Sequence, residues 1–99
     1  MIRAEVTGRL GIEPRRHTAR NGRPMATASI AANVARNHDD TDTAWINIVA
    51  FGPLADELLG IHKGERVTAA GHLVRERYKG RDGASNECWS LKVNAILKG

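Results

Sequence analysis

The sequence is poor in cysteine, proline and aromatics: one Cys, three Pro, two Trp, one Tyr and one Phe among 99 residues. With Cys88 alone, no internal disulfide can form, and a zinc site built on cysteine pairs is excluded. No stretch approaches the roughly eighteen apolar residues of a membrane-spanning helix. The opening, MIRAEVTGRL, puts Glu5 and Arg9 where a signal peptide would need apolar residues, so a cytoplasmic location without a membrane partner is expected. Repeats, low-complexity stretches and linkers are missing, and residues 1–99 read as one domain. A chain this short buries only about 60–70% of its unfolded surface, so its core must be small. There is no phosphate-cradling glycine loop, no nucleophile elbow and no paired carboxylates on a pocket element, which argues against an enzyme and against a cofactor. His17, His38, His62 and His72 show no metal-ligand spacing with one another or with Cys88. Asp39, Asp40 and Asp42 lack the Gly and Glu of a calcium loop and read as solvated, so no metal is expected.

What is present is positive charge, unevenly distributed. Residues 1–37 hold seven Arg against two Glu, residues 38–70 hold two basic residues against six acids, and residues 71–99 hold six basic residues against three acids. Both ends are basic around an acidic middle, a distribution that suits a polyanionic partner.

Short runs of period two, punctuated by Gly and Pro, predict an all-β chain. The first strand runs from Ile2 to Leu10, with Ile2, Ala4, Val6 and Leu10 on one face and Arg3, Glu5, Thr7 and Arg9 on the other. Gly11 to Gly22 reads as a basic loop ending in Asn21-Gly22, a dipeptide that favours a tight hairpin turn. The second strand, Met25 to Asn33, turns Ala26, Ala28 and Ile30 inward, small residues that suit a curved barrel wall. After a polar loop (Asn37 to Thr43) comes the third strand, Trp45 to Phe51. Gly52-Pro53 then starts a short helix with Leu54, Leu58 and Ile61 on its apolar side, ended by Lys63-Gly64. The fourth strand runs from Arg66 to about Tyr78, with Val67, Ala69, Gly71 and Leu73 on one face and a bend allowed at Gly71. Residues 79–85 form a hairpin tip, and Cys88 to Leu97 form the fifth strand, with Leu91, Val93 and Ala95 facing the core. Five strands with a helix between the third and fourth is the order of an OB-fold barrel, which binds oligonucleotides or oligosaccharides across one face.

The third strand carries the sharpest signal. Alternation separates Ile46, Ile48 and Ala50, all aliphatic and therefore inward, from Trp45, Asn47, Val49 and Phe51. Two aromatic rings turned to solvent near basic loops make a platform on which unpaired bases can stack, each stack being worth about 1–3 kcal/mol. Tyr78, among Arg75, Arg77, Lys79 and Arg81, suits a hairpin finger that closes over a strand. Trp89 shares the side of Leu91 and Val93 and reads as core or subunit contact.

The blocks I-x-x-x-V-x-G-R-L-G-x-x-P, T-A-W-I-N-I-V-A-F-G-P-L-A-D, K-G-E-R-V-x-x-x-G-x-L and R-Y-K-G-R-D-G, in this order over essentially the whole chain, resemble the bacterial single-stranded-DNA-binding protein family. The resemblance implies sequence-nonspecific binding of single-stranded DNA in replication, recombination or repair. It sets Trp45, Phe51 and Tyr78 at base-stacking positions and Arg3, Lys63 and Arg77 where the family places lysines near phosphates. Arg36 falls where many members carry a further stacking tryptophan, and its guanidinium can also stack on a base. Asn47 stands where a basic residue is often seen. Lys79 and the loop arginines Arg15, Arg16 and Arg20 complete the expected phosphate contacts. The chain stops at Lys98-Gly99, without the acidic-tipped tail usual in the family. That departure resembles the PriB-like primosomal proteins and implies, as an alternative, a replication-restart adaptor acting mainly through protein partners. The same platform would serve RNA, because stacking and phosphate contacts do not distinguish the sugars. A homo-oligomer, dimer or tetramer, is also expected from the exposed pairing edge of the first strand.

Overall fold

A computed structural model describes residues 1–37, 39–77 and 79–99, together with the backbone at position 78. The expectation for the Tyr78 side chain and the reading of His38 fall outside the described residues. Strands β1 (Ile2–Leu10), β3 (Pro24–Asn33), β4 (Thr43–Phe51), β5 (Arg66–Lys79) and β6 (Ser85–Lys98) carry the barrel, with helix α1 (Pro53–Leu59) between β4 and β5. β1 pairs with both β5 and β3, β3 with β4, β4 with β6 and β6 with β5, so the five strands close into a ring. Every pairing is antiparallel except β4 with β6. This is the five-stranded OB barrel that the element order predicts.

The inward rows follow from period-two burial. Ala26, Ala28, Ile30 and Ala32 on β3 face Ala50, Ile48, Ile46 and Ala44 on β4, rung by rung. Alanine on several of these rungs keeps the two strands close to the opposite wall, and Leu10, Ile30, Ile48, Val67 and Leu91 fill the remaining interior. Helix α1 starts on Pro53, whose missing N–H costs nothing at that position, and seals one end of the barrel with Ala55 and Leu58. Ile61, one residue past the helix and its Gly60 cap, is also buried.

Three expectations need correction. The segment read as a basic loop contains a sixth strand, β2 (Arg15–Thr18), paired antiparallel to the outer side of β3. All four of its residues are exposed, so no buried face existed to write an alternating pattern into the sequence. The turn itself lies as expected: Gly22 has φ of 80°, and the Arg23 N–H donates to the Asn21 side-chain oxygen at 3.0 Å.

The second correction concerns the end of β6. Ala70 pairs with Ala95 but Gly71 pairs with Val93, which leaves Asn94 as an extra, bulged residue. The bulge reverses the parity beyond it, so Ile96 packs on the core and Ala95 is exposed. At this rung β5 and β6 approach so closely that a side chain at Gly71 would collide with the Lys92 carbonyl.

Thirdly, Trp89 is not in the core; it is 40% exposed. β5 and β6 are 14 residues each, longer than the barrel wall, and their far ends leave it as a two-stranded arm. Arg75, Glu76 and Arg77 are exposed in succession, so both sides of this arm face solvent. Trp89, opposite Arg75, belongs to the arm.

Candidate nucleic-acid interface

The outer face of β4 has the composition that alternation predicts. Trp45 is 61% exposed, Asn47 is exposed, and Val49 and Phe51 are half-buried. Trp45 and Phe51 are six residues apart on one strand, a separation of about 20 Å at strand rise. The Trp45 ring lies against Gly11, where any side chain would run into its six-membered ring. The outer edge of the indole's six-membered ring therefore lies close to the backbone at Gly11. At the other end of the strand, the Arg23 guanidinium sits over the Phe51 ring, 5.5 Å from its centroid.

Cross-strand register extends this face sideways. Phe51 is level with Met25 and His17, Val49 with Thr27 and Arg15, Asn47 with Ser29, and Trp45 with Ala31. On the other flank Val49 is level with Lys92, Lys92 with His72 and His72 with Arg3. One transverse row thus places Arg3, His72, Lys92 and Arg15 on the outer surface. Across β2, β3 and β4 no outward side chain is a carboxylate. On the flanking strands, Glu76 of β5 lies 3.8 Å from the Lys92 ammonium, and Glu5 of β1 is exposed on the side of Arg3. A cleft of about 450 Å³ beside Phe51 is lined by Arg23, Leu54, His72, Lys92, Val93 and Asn94. Rings, amides and cations without acids suit a polyanion with flat, unpaired bases.

The expected residues divide into those that meet on this face and those that do not. Trp45, Asn47 and Phe51 meet on β4, and Arg3 joins the transverse row three strands away. Arg20 is exposed in the turn between β2 and β3, and Arg36 is exposed in the loop between β3 and β4. Lys63 lies in the segment after α1, where its N–H donates to Glu13 at 3.1 Å; the neighbouring Gly64 N–H donates to the Leu10 carbonyl, close to the Trp45 end of the face. Arg16 points the other way from Arg15, toward α1, and pairs with Asp56 at 3.4 Å. Arg77 and Lys79 lie on the arm, on the side of Leu73 and Leu91, opposite to the β4 face. Arg77 there pairs with Glu87 at 3.3 Å.

Lys92 and Arg23 are additions that the sequence reading missed. Lys92 sits between the inward Leu91 and Val93, so alternation alone marks it as outward. Arg23 follows the Asn21-Gly22 turn, and only the folded hairpin brings it over Phe51.

The single-strand binding protein family model matches residues 1–97. No curated protein matches the chain. Among solved structures, the chain is similar to a small single-stranded DNA-binding protein from Streptomyces coelicolor, with 21% identity, a TM-score of 0.84 and coverage of 99% of this chain and 94% of that one. It is also similar to the Plasmodium falciparum SSB in complex with single-stranded DNA, with 24% identity, a TM-score of 0.77 and coverage of 100% and 95%. At these identities the likeness is one of fold.

Proposed function

The chain belongs to the single-strand binding protein family, and from that premise we propose that it binds single-stranded DNA without sequence preference along the outer face of β3, β4 and β6. Trp45 and Phe51 stack bases, Asn47 contacts a base or sugar between them, and Arg3, Arg15 and Lys92 meet phosphates. Tyr78, Lys63, Arg20 and Arg36 act at the margins, where the strand enters and leaves. The observation that carries this reading is an exposed Trp45 on a sheet face where β2, β3 and β4 bear no outward carboxylate, the acids beside it being Glu76 on β5 and Glu5 on β1.

Stacking on a flat ring is sequence-tolerant because every base offers a π-face, and cations on flanking strands meet the backbone wherever it runs. A duplex hides its base faces, so discrimination against double-stranded DNA follows from the same geometry. Arg23 over Phe51 either sandwiches an incoming base or yields the ring to it; both uses keep its charge close to phosphate.

Competition between oligo-dT, oligo-U and duplex DNA, read by tryptophan fluorescence, tests the proposal. Oligo-dT should quench the emission and duplex should not displace it. Equal competition by duplex would contradict base stacking and leave only attraction to phosphates.

A further inference from the structure

We infer that His17 and His72 are proton-dependent phosphate ligands of the face around β4, so that this chain holds single-stranded DNA more tightly as pH falls through the range in which imidazole titrates. The inference rests on the reading of the β4 face given above.

Imidazole is the side chain whose charge changes between about pH 5 and about pH 8. Two imidazoles flank Phe51. On one side, His17 of β2 is level with Met25, which is level with Phe51. Its Nε2 lies 3.1 Å from the Thr27 hydroxyl, an anchor that occupies one ring nitrogen and leaves the other for a ligand. On the other side, His72 of β5 lines the cleft beside Phe51 together with Arg23, Lys92 and Asn94. The charges around each ring decide what protonation does. β3 presents Met25 and Thr27 to His17, and β2 itself presents Arg15. The acids of α1 are engaged elsewhere: Asp56 pairs with Arg16 on the other side of β2, and Glu57 lines a hollow with Lys98. His72 faces Arg3 and, diagonally, Glu5 from β1, Lys92 from β6 and Arg23 from the turn before β3. Glu76, four residues along the same side of β5, is 3.8 Å from the Lys92 ammonium. Among the described residues, the histidine paired with a carboxylate is His62, with Glu13 at 3.5 Å. A protonated ring at position 17 or 72 therefore adds a cation to the face without being neutralised by a partner acid. Phosphate gains an ion pair only from the charged ring, so DNA binding and proton uptake favour each other.

The test is a titration with oligo-dT, whose thymines and phosphodiesters keep one charge state throughout the imidazole range, read by tryptophan fluorescence. Lowering the pH from about 8 to about 5.5 should tighten binding by up to about fivefold for each histidine, the most that an exposed ion pair contributes. The log–log salt slope should steepen over the same interval by about 0.7 for each. His17 is exposed and His72 half-buried on the outer side of the barrel, so substitutions at both leave the core intact. His17→Gln/His72→Gln should bind with one strength at both pH values, and each single variant should lose about half of the slope change. His17→Lys/His72→Lys, charged throughout, should show at the higher pH the slope that the unaltered chain reaches only at the lower. Calorimetry at about pH 6.5 in two buffers of different ionisation enthalpy should report net proton uptake on binding, absent from the glutamine pair. Affinity that ignores pH while oligo-dT still quenches the tryptophans would overturn this inference and spare the β4 reading. A pH dependence retained by the glutamine pair would likewise overturn it, by assigning the proton to other groups. No quenching at any pH would remove the β4 reading and this one with it.

Discussion

Trp45 keeps its place because Gly11 has no side chain. The φ of Gly11 is not in the left-handed region, so its backbone accepts alanine, but the added methyl would meet the indole ring. Gly11→Ala should therefore leave the barrel folded while shifting Trp45 emission and weakening oligo-dT binding by up to the value of one stack, about 1–3 kcal/mol. Circular dichroism and a fluorescence titration check the two halves of that statement. Trp45→Ala should weaken binding by the same range. Single residues on β4 were the most readable part of the sequence, because Ile46, Ile48 and Ala50 are aliphatic without exception and leave the rings no place inward. Leu73, four and six positions before Arg77 and Lys79, sets their side of the strand, so parity in the sequence already turns both away from the β4 face.

Among the elements, β2 and the β6 bulge escaped the sequence for different physical reasons. β2 is an edge strand with all four residues exposed, and its pairing with β3, not a buried face, defines it. The bulge at Asn94 exists only relative to β5, so no inspection of β6 alone could reveal where parity breaks. That break depends on Gly71: alanine there would press on the Lys92 carbonyl, and Gly71→Ala should cost about 1–3 kcal/mol of stability, read by denaturant unfolding. The ends of the same two strands are tied by Glu65. Its carboxylate accepts from the Lys98 ammonium at 2.9 Å and from the His62 N–H at 2.9 Å, and these bonds hold its pKa below the ordinary carboxylate range. A group whose folded pKa is lowered stabilises the fold above its unfolded pKa and loses that contribution as pH falls through the folded value. Glu65→Gln should therefore shrink the drop in Tm between pH 7 and pH 3, measured by thermal melts. A variant that melts with the unchanged acid dependence would show that the tie contributes nothing.

Across the full chain, binding couples a small barrel to a long polyanion, and most of its affinity must respond to salt. The logarithm of the binding constant should fall against the logarithm of salt with a slope of about −0.7 for each phosphate contacted. Lys92→Ala removes one contact from the transverse row and should reduce the slope by about 0.7, whereas Trp45→Ala should lower affinity at every salt concentration and leave the slope unchanged. The order of the barrel strands, the helix plug and the hairpin tip follow from alternation and punctuation in the sequence; the extension of β5 and β6 into an arm, exposed on both sides, does not. The transverse row of Arg3, His72, Lys92 and Arg15 does not, since it assembles residues from four strands through register alone. The most direct measurement is the dissociation constant of Trp45→Ala/Phe51→Ala for oligo-dT, taken with proof that the double variant still folds. Loss of two stacks predicts binding at least about 30-fold weaker than the unaltered chain. An unchanged constant in a folded double variant would mean that bases do not rest on β4.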